Sequence, residues 1–233
     1  MDKILVVIGG GEIKNKTTLE IDRYVASLAK AHAGEKRATA LFVGTASHDS
    51  MPYFNSFRKT YTSVFDIKAE VALSVYGEMD FEHIKHKFEI ADAVYVGGGD
   101  TVFMLEKWKE SGIEKLILQA YEQGKIIAGL SAGAICWFEN MFTDYLLMRG
   151  ESSEYVLKKG LGVIKGTMCP HFNEREDDFI NATKTEKHLY AYALENDCAL
   201  VFKNGELERK ISSGGKAYIC TRDENGFNKV EIE

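Results

Sequence analysis

Only two prolines occur in 233 residues, and no Pro-, Gly- or Ser-rich linker, internal repeat or low-complexity tract interrupts the chain. Residues 1–233 therefore read as a single domain, long enough to bury a sizeable core. No apolar run approaches the roughly 18 residues of a membrane-spanning helix, which excludes a helical span. The apolar part of MDKILVVIGGGE is too short for a signal peptide, so the expectation is a cytoplasmic chain with no membrane partner. Lysine and arginine are not clustered and the formal net charge is -6, so no nucleic-acid partner is expected. Cys136, Cys169, Cys198 and Cys220 lack any CxxC spacing, which argues for reduced thiols rather than a disulfide framework or a zinc site. Neither a metal nor an organic cofactor is expected.

What is present is the composition of a globule, 45% hydrophobic and 27% charged. Short apolar runs at residues 4–8, 40–43, 93–96, 126–128, 161–164 and 199–202 read as strands. Segments of helical periodicity at 18–33, 104–111 and 113–123 lie between the earlier ones. That alternation predicts an α/β fold with a mostly parallel sheet flanked by helices. Glycines follow three of the strands, at 9–11, 44 and 97–99, and mark the sheet edge where open parallel sheets bind ligands. Beyond residue 200, Asn204-Gly205 and Gly214-Gly215 suggest a closing hairpin or meander.

The stretch IIAGLSAGAICWF places Ser131 between a buried strand and an expected helix start that includes Ala132, Ala134, Ile135, Trp137 and Phe138. Gly129-Leu130-Ser131-Ala132-Gly133 satisfies GxSxG in the strand–turn–helix setting that a nucleophile elbow requires. The sharp turn exposes the hydroxyl, small neighbours admit a substrate carbonyl, and the helix start favours developing negative charge. Small residues at a tight turn also serve packing alone, so the motif needs a base to carry meaning.

Six histidines offer one. His32 at a helix end, and His83 and His86 in a charged amphipathic stretch, are expected to be solvated. His188 falls in TEKHLYAYAL, read as helical, and His48 in GTASHDS is placed to reach the crevice as a binding group. His171 follows Cys169-Pro170 at the end of an apolar segment, on the same sheet edge as the serine. An acid that orients it is offered by Glu195 and Asp197, before the run at 199–202. The chain order serine, histidine, acid differs from that of the α/β-hydrolases. Gly97-Gly98-Gly99-Asp100-Thr101 opens a helix after a strand and can supply amides to an oxyanion or a substrate. It matches neither GxGxxG nor a P-loop.

Read together, VGGGDT, GLSAGAICWF and CPHF resemble the peptidase E family of serine peptidases, the group of aspartyl dipeptidases and cyanophycinases, over most of the chain to about residue 220. The resemblance implies a class I glutamine amidotransferase-like (flavodoxin-like) three-layer sandwich. It also implies a nucleophile at Ser131, a base at His171 and oxyanion amides at Gly99 and Ala132. A gapless overlay puts the family acid at Asn196; a one-residue shift gives Glu195 or Asp197, with Glu195 preferred. Asp144 resembles a further acidic position near the substrate. Where the dipeptidase branch carries a basic residue for an acidic substrate side chain, this chain reads NEREDDFINATKTEKH. Arg175, Lys184 and Lys187 are candidates there without a matching motif.

The expected activity is a dipeptidase-like serine hydrolase that cleaves amide bonds of small peptides through an acyl-enzyme, with a homodimer left open. Two other readings stand beside it at this point. One is a non-catalytic small-ligand-binding module on the same fold; the other is an amidotransferase-type enzyme with a cysteine nucleophile.

Overall fold

The computed structural model of the chain describes residues 2–224 and 226–233. Its first half is a run of alternating strands and helices. Strands β1 (Ile4–Ile8), β2 (Thr39–Val43), β3 (Lys68–Ala72), β4 (Ala93–Val96) and β5 (Ile126–Leu130) pair in parallel in the order β1-β5-β4-β2-β3. All but β3 are apolar, apart from Thr39 at the start of β2, because both of their faces are covered. The two-residue period of the strands assigns each side chain to one cover. Val6, Ile8, Phe42 and Tyr95 pack against helices α1 (Leu19–Ala33) and α2 (Met51–Ser63) through Ile21, Val25, Phe57 and Tyr61. Leu5, Val7, Leu41, Val94 and Ile127 pack on the other side against α3 (Phe81–Ile90), α4 (Thr101–Ser111) and α5 (Ile113–Glu122), through Ile84, Phe88, Met104, Trp108 and Ile117.

After β5 the chain departs from the single-sheet expectation. Helix α6 (Ala132–Ile135) lasts one turn, so Trp137 lies outside it and Phe138 already begins β6 (Phe138–Thr143). A second sheet is built from β6, β7 (Val156–Lys159), β8 (Ile164–Cys169) and β9 (Leu189–Leu194), with α7 (Tyr145–Met148) and α8 (Phe172–Ala182) in the connections. Strands β10 (Cys198–Lys203) and β11 (Glu206–Ser212) return to the first sheet, antiparallel beside β1, across a turn in which Asn204 and Gly205 both take positive φ. Strands β12 (Ala217–Asp223) and β13 (Gly226–Glu231) complete the second. Among the described residues, the sheets run β11-β10-β1-β5-β4-β2-β3 and β13-β12-β9-β8-β6-β7.

The second sheet shares the first sheet's core on one face, through Phe138, Met141, Met168 and Tyr192. Its other face is covered by α8, whose Phe172 and Phe179 meet Phe142, Ala191 and Cys220. Two further expectations are corrected here. The run at 161–164 is mostly the approach to β8, and LYAYAL is a strand, not a helix, in which Leu189, Ala191 and Ala193 share one buried face. Among the described residues, no helix is long and apolar enough to cross a membrane.

Candidate active site

The carboxyl end of β1 sets the frame of the site. Three successive carbonyls, those of Ile8, Gly9 and Gly10, accept the backbone N–H groups of Ser131 (2.9 Å), His171 (3.0 Å) and Asp197 (3.1 Å). Segments distant in sequence are thereby fixed side by side. Gly9 and Gly10 permit this closeness, since a Cβ on Gly9 would collide with the Glu195 carbonyl and one on Gly10 with Asn196 Oδ1 and the His171 ring.

Ser131 sits between β5 and α6 with φ 51° and ψ -108°, a conformation that holds its hydroxyl off the sheet edge. Gly129 and Gly133 flank it for packing reasons: a Cβ on the first would strike the Gly133 carbonyl, and one on the second the Val96 carbonyl. His171 lies between β8 and α8, also with positive φ (50°), and its Nε2 is 2.9 Å from Ser131 Oγ. Its imidazole is held below the ordinary histidine range, first by burial and then by the Arg175 cation, with Asn196, Glu174 and Asp144 opposing. At neutral pH this favours the neutral ring, the form that accepts a proton.

The partner of His171 Nδ1 is Asn196, whose Oδ1 lies 2.6 Å away. Neither carboxylate expected at this position reaches the ring. At the end of β9, Glu195 faces β12, where its Oε2 accepts Lys216 N–H (2.9 Å) and its Oε1 accepts the Tyr218 hydroxyl (3.2 Å). Asp197 has φ 61° and accepts the Thr17 hydroxyl at 2.5 Å. Successive residues at this turn point to different sides, and the side facing the histidine belongs to Asn196. The sequence reading missed the residues that hold Asn196. Its N–H donates to Asn173 Oδ1 (2.9 Å) and its Nδ2 to Glu174 Oε1 (2.5 Å). In sequence, an acid in the first turn of α8 reads only as a favourable helix start.

Gly99, with φ 138°, lines a cleft of about 420 Å³ together with Ser131, His171, Gly98, Tyr53 and Leu130. Its backbone hugs the loop after β2, where a Cβ would strike the Ala46 carbonyl. Among the described residues, the N–H groups of Gly99 and Ala132 donate to no protein acceptor, whereas Gly98 N–H reaches the Tyr53 hydroxyl at 3.4 Å. Ala132 itself is buried.

Asp144, at the start of α7, accepts Arg175 Nη2 at 2.7 Å. Of the three cations considered for an acidic substrate side chain, Arg175 is thus already paired. Asp100, after the glycine run, caps α4 through Phe103 N–H (2.9 Å) and accepts Arg149 Nε (2.6 Å).

The other histidines lie elsewhere. His48 packs on the Phe103 ring, with centroids 4.1 Å apart. His32 is half-buried against Asp92 (3.0 Å) rather than solvated, and His83 is exposed beside Asp80 (2.8 Å). All four cysteines are free and buried, and burial pushes Cys198 and Cys220 up to about 12. No thiolate is thereby favoured near neutral pH. Among the described residues, no group of three or more His, Cys, Asp or Glu side chains is placed to hold a metal ion.

Comparison with known proteins bears on the family and the fold. The model of peptidase family S51 matches residues 5–210. The chain is 31% identical over 237 aligned positions to the uncharacterized peptidase YgaJ of Bacillus subtilis (strain 168), covering all of this chain and 97% of that one. It is 26% identical over 185 positions to the uncharacterized peptidase Lin0382 of Listeria innocua, covering 76% of this chain and 86% of the relative. Its fold is similar to that of a peptidase from an acI-B1 Actinobacterium (TM-score 0.71, 18% identity, 99% and 98% of the two chains). It is also similar to that of a peptidase E protein from Listeria monocytogenes EGD-e (TM-score 0.65, 21% identity, 91% and 99%). The α/β sandwich, the GxSxG turn and a family match spanning most of its length make this chain a member of peptidase family S51, the peptidase E family of hydrolases.

Proposed function

We propose that the protein is a serine peptidase that cleaves an amide bond in small peptides through an acyl-enzyme. Ser131 Oγ attacks the scissile carbonyl while His171 Nε2 takes its proton. The Gly99 and Ala132 N–H groups receive the negative oxygen of the tetrahedral intermediate. Collapse breaks the C–N bond, and His171 returns the proton to the departing amine. A water deprotonated by the same imidazole then releases the acyl group and restores the serine.

The observation that carries this reading is the 2.9 Å hydrogen bond between His171 Nε2 and a serine held in a strained turn. Asn196 takes the orienting position in place of Glu195 and Asp197, and Asp144 with Arg175 forms a neutralised wall near the histidine. The small cleft suits a short substrate.

A fluorophosphonate probe with intact-mass readout tests the assignment. Wild type is expected to gain one adduct, on Ser131, and to release amine from members of a dipeptide panel. Ser131→Ala is expected to lose both at unchanged melting temperature. Adduct formation or turnover above a tenth of wild type in Ser131→Ala would place the nucleophile elsewhere.

A further inference from the structure

We propose that Glu174 is a positioning residue for His171, acting through Asn196, and that it fixes which imidazole nitrogen carries the proton. The proposal rests on the reading of Ser131 and His171 as nucleophile and base.

An asparagine amide has one accepting and one donating end, and a neutral imidazole likewise has one of each. Left alone, an Asn–His pair satisfies its hydrogen bond in two ways. In one, Oδ1 accepts from Nδ1–H and Nε2 is bare; in the other, Nδ2 donates to a bare Nδ1 and the proton sits on Nε2. Only the first leaves Nε2 able to take the serine proton. A carboxylate breaks the tie because it only accepts. Glu174 Oε1 faces the amide of Asn196 and calls for Nδ2 at that place, with a contact of 2.5 Å. Oδ1 is then turned to His171 Nδ1, at 2.6 Å. The proton resides on Nδ1, and Nε2 faces Ser131 Oγ as an acceptor at 2.9 Å. The flipped amide would set Oδ1 against the carboxylate, two acceptors without a proton between them.

The geometry is held by one helix turn. His171 precedes the first residue of α8, Glu174 N–H donates to the His171 carbonyl at 2.8 Å, and Asn173 Oδ1 accepts Asn196 N–H at 2.9 Å. Base and remote carboxylate thus belong to the same rigid turn, which grips Asn196 by its backbone and by its amide. A carboxylate in this turn is also favoured by the helix dipole. Among the described residues, no nearer acid competes for the ring, because Glu195 and Asp197 are bonded to Lys216, Tyr218 and Thr17. Among the described residues, the charged groups that act on His171 are Arg175 and Glu174 from α8 and Asp144 from the start of α7, and Glu12 and Lys14 from the loop after β1 line the same cleft.

The test is a swap of amide and acid. Glu174→Gln offers Asn196 either end of an amide and restores the tie. It is expected to lower kcat about tenfold or more with KM changed less than about threefold. It also removes a negative charge that raises the His171 pKa, so the acid limb of the pH profile moves to lower pH. Asn196→Asp alone sets two carboxylates face to face and is also expected to lose activity. The double variant, Glu174→Gln with Asn196→Asp, rebuilds a single donor–acceptor order and is expected to recover to within a few-fold of wild type. Imidazole ¹⁵N spectra read the same relay without turnover: the His171 proton is expected on Nδ1 in wild type and shared between nitrogens in Glu174→Gln. An unchanged tautomer and kcat in Glu174→Gln, or a double variant worse than both single ones, would overturn the proposal. Failure of the serine-peptidase reading would instead appear as wild-type protein without turnover or adduct, and the nitrogen spectra would still decide the role of Glu174.

Discussion

His171 Nδ1 and Asn196 Oδ1 stand 2.6 Å apart, while the carboxylate of Glu195, one residue earlier, is bonded to the backbone of Lys216 and the hydroxyl of Tyr218. The partner of the imidazole is therefore an amide, which orients the ring without placing a full charge against it. Asn196→Ala is expected to lower kcat by at least ~10²-fold, on the scale of tautomer defects in triads, with a smaller change in KM. Glu195→Gln and Asp197→Asn are each expected to cost less than about tenfold. Steady-state kinetics on one cleaved dipeptide decides the matter, and a larger loss in Glu195→Gln than in Asn196→Ala would reverse the assignment.

Gly10 offers a steric probe of the same pair. A methyl group there meets Asn196 Oδ1 and the Nδ1 and Cε1 atoms of His171. Gly10→Ala is expected to cut kcat by more than about tenfold because ring and amide are pushed apart, a displacement of the kind that is costly at a reacting centre. A variant with wild-type kcat would mean that the ring can shift without consequence.

The pH profile follows from the surroundings of the histidine. Burial and the Arg175 cation favour the neutral ring, so the acid limb of kcat/KM is expected to have its midpoint below the ordinary histidine value of 6.5. Activity should persist as pH falls through that value and disappear only when His171 protonates. A midpoint above 6.5, measured with a substrate that does not titrate there, would contradict the environment described.

Asp22 gives a prediction about stability. It is fully buried, accepts hydrogen bonds from Thr18 (2.7 Å) and Tyr61 (3.2 Å), and burial raises its pKa from 3.8 to about 6. Between those values the folded protein holds a proton that the unfolded chain has lost, so this group makes stability fall as pH rises from about 4 to about 6. The effect is on the order of 3 kcal/mol at most. Asp22→Asn is expected to flatten that slope and to stabilise the protein by about 1–3 kcal/mol at pH 8, read by urea unfolding at about pH 4, 6 and 8. A variant that follows the wild-type slope would show that Asp22 is not its source.

The first half of the fold was legible in the sequence for a physical reason: strands buried on both faces, such as Leu5 to Ile8 and Val94 to Val96, leave continuous apolar runs. The second sheet was not. In β9 Leu189, Ala191 and Ala193 on one face alternate with Tyr190, Tyr192 and Leu194 on the other, and all six are apolar or aromatic, so apolar character does not reveal the two-residue period. The glycines around Ser131 were legible because backbone contact demands them. The orienting residue was not, since composition places three polar residues at 195–197 but does not say which one the turn aims at the imidazole. Glu174 left even less trace, because its contact with Asn196 joins a helix start to a loop beyond the following strand.

The three carbonyls of Ile8, Gly9 and Gly10 also bear on when this protein can act during its synthesis. They leave the ribosome before Ser131, His171 and Asp197, whose amides they accept. A nascent chain can assemble β1 through β5 from contacts already present, but its serine and imidazole have no common anchor until β8 has emerged and the His171 N–H has reached the Gly9 carbonyl. On the mechanism proposed above, the growing polypeptide has no assembled serine–histidine pair until the segment that carries His171 has been translated and docked.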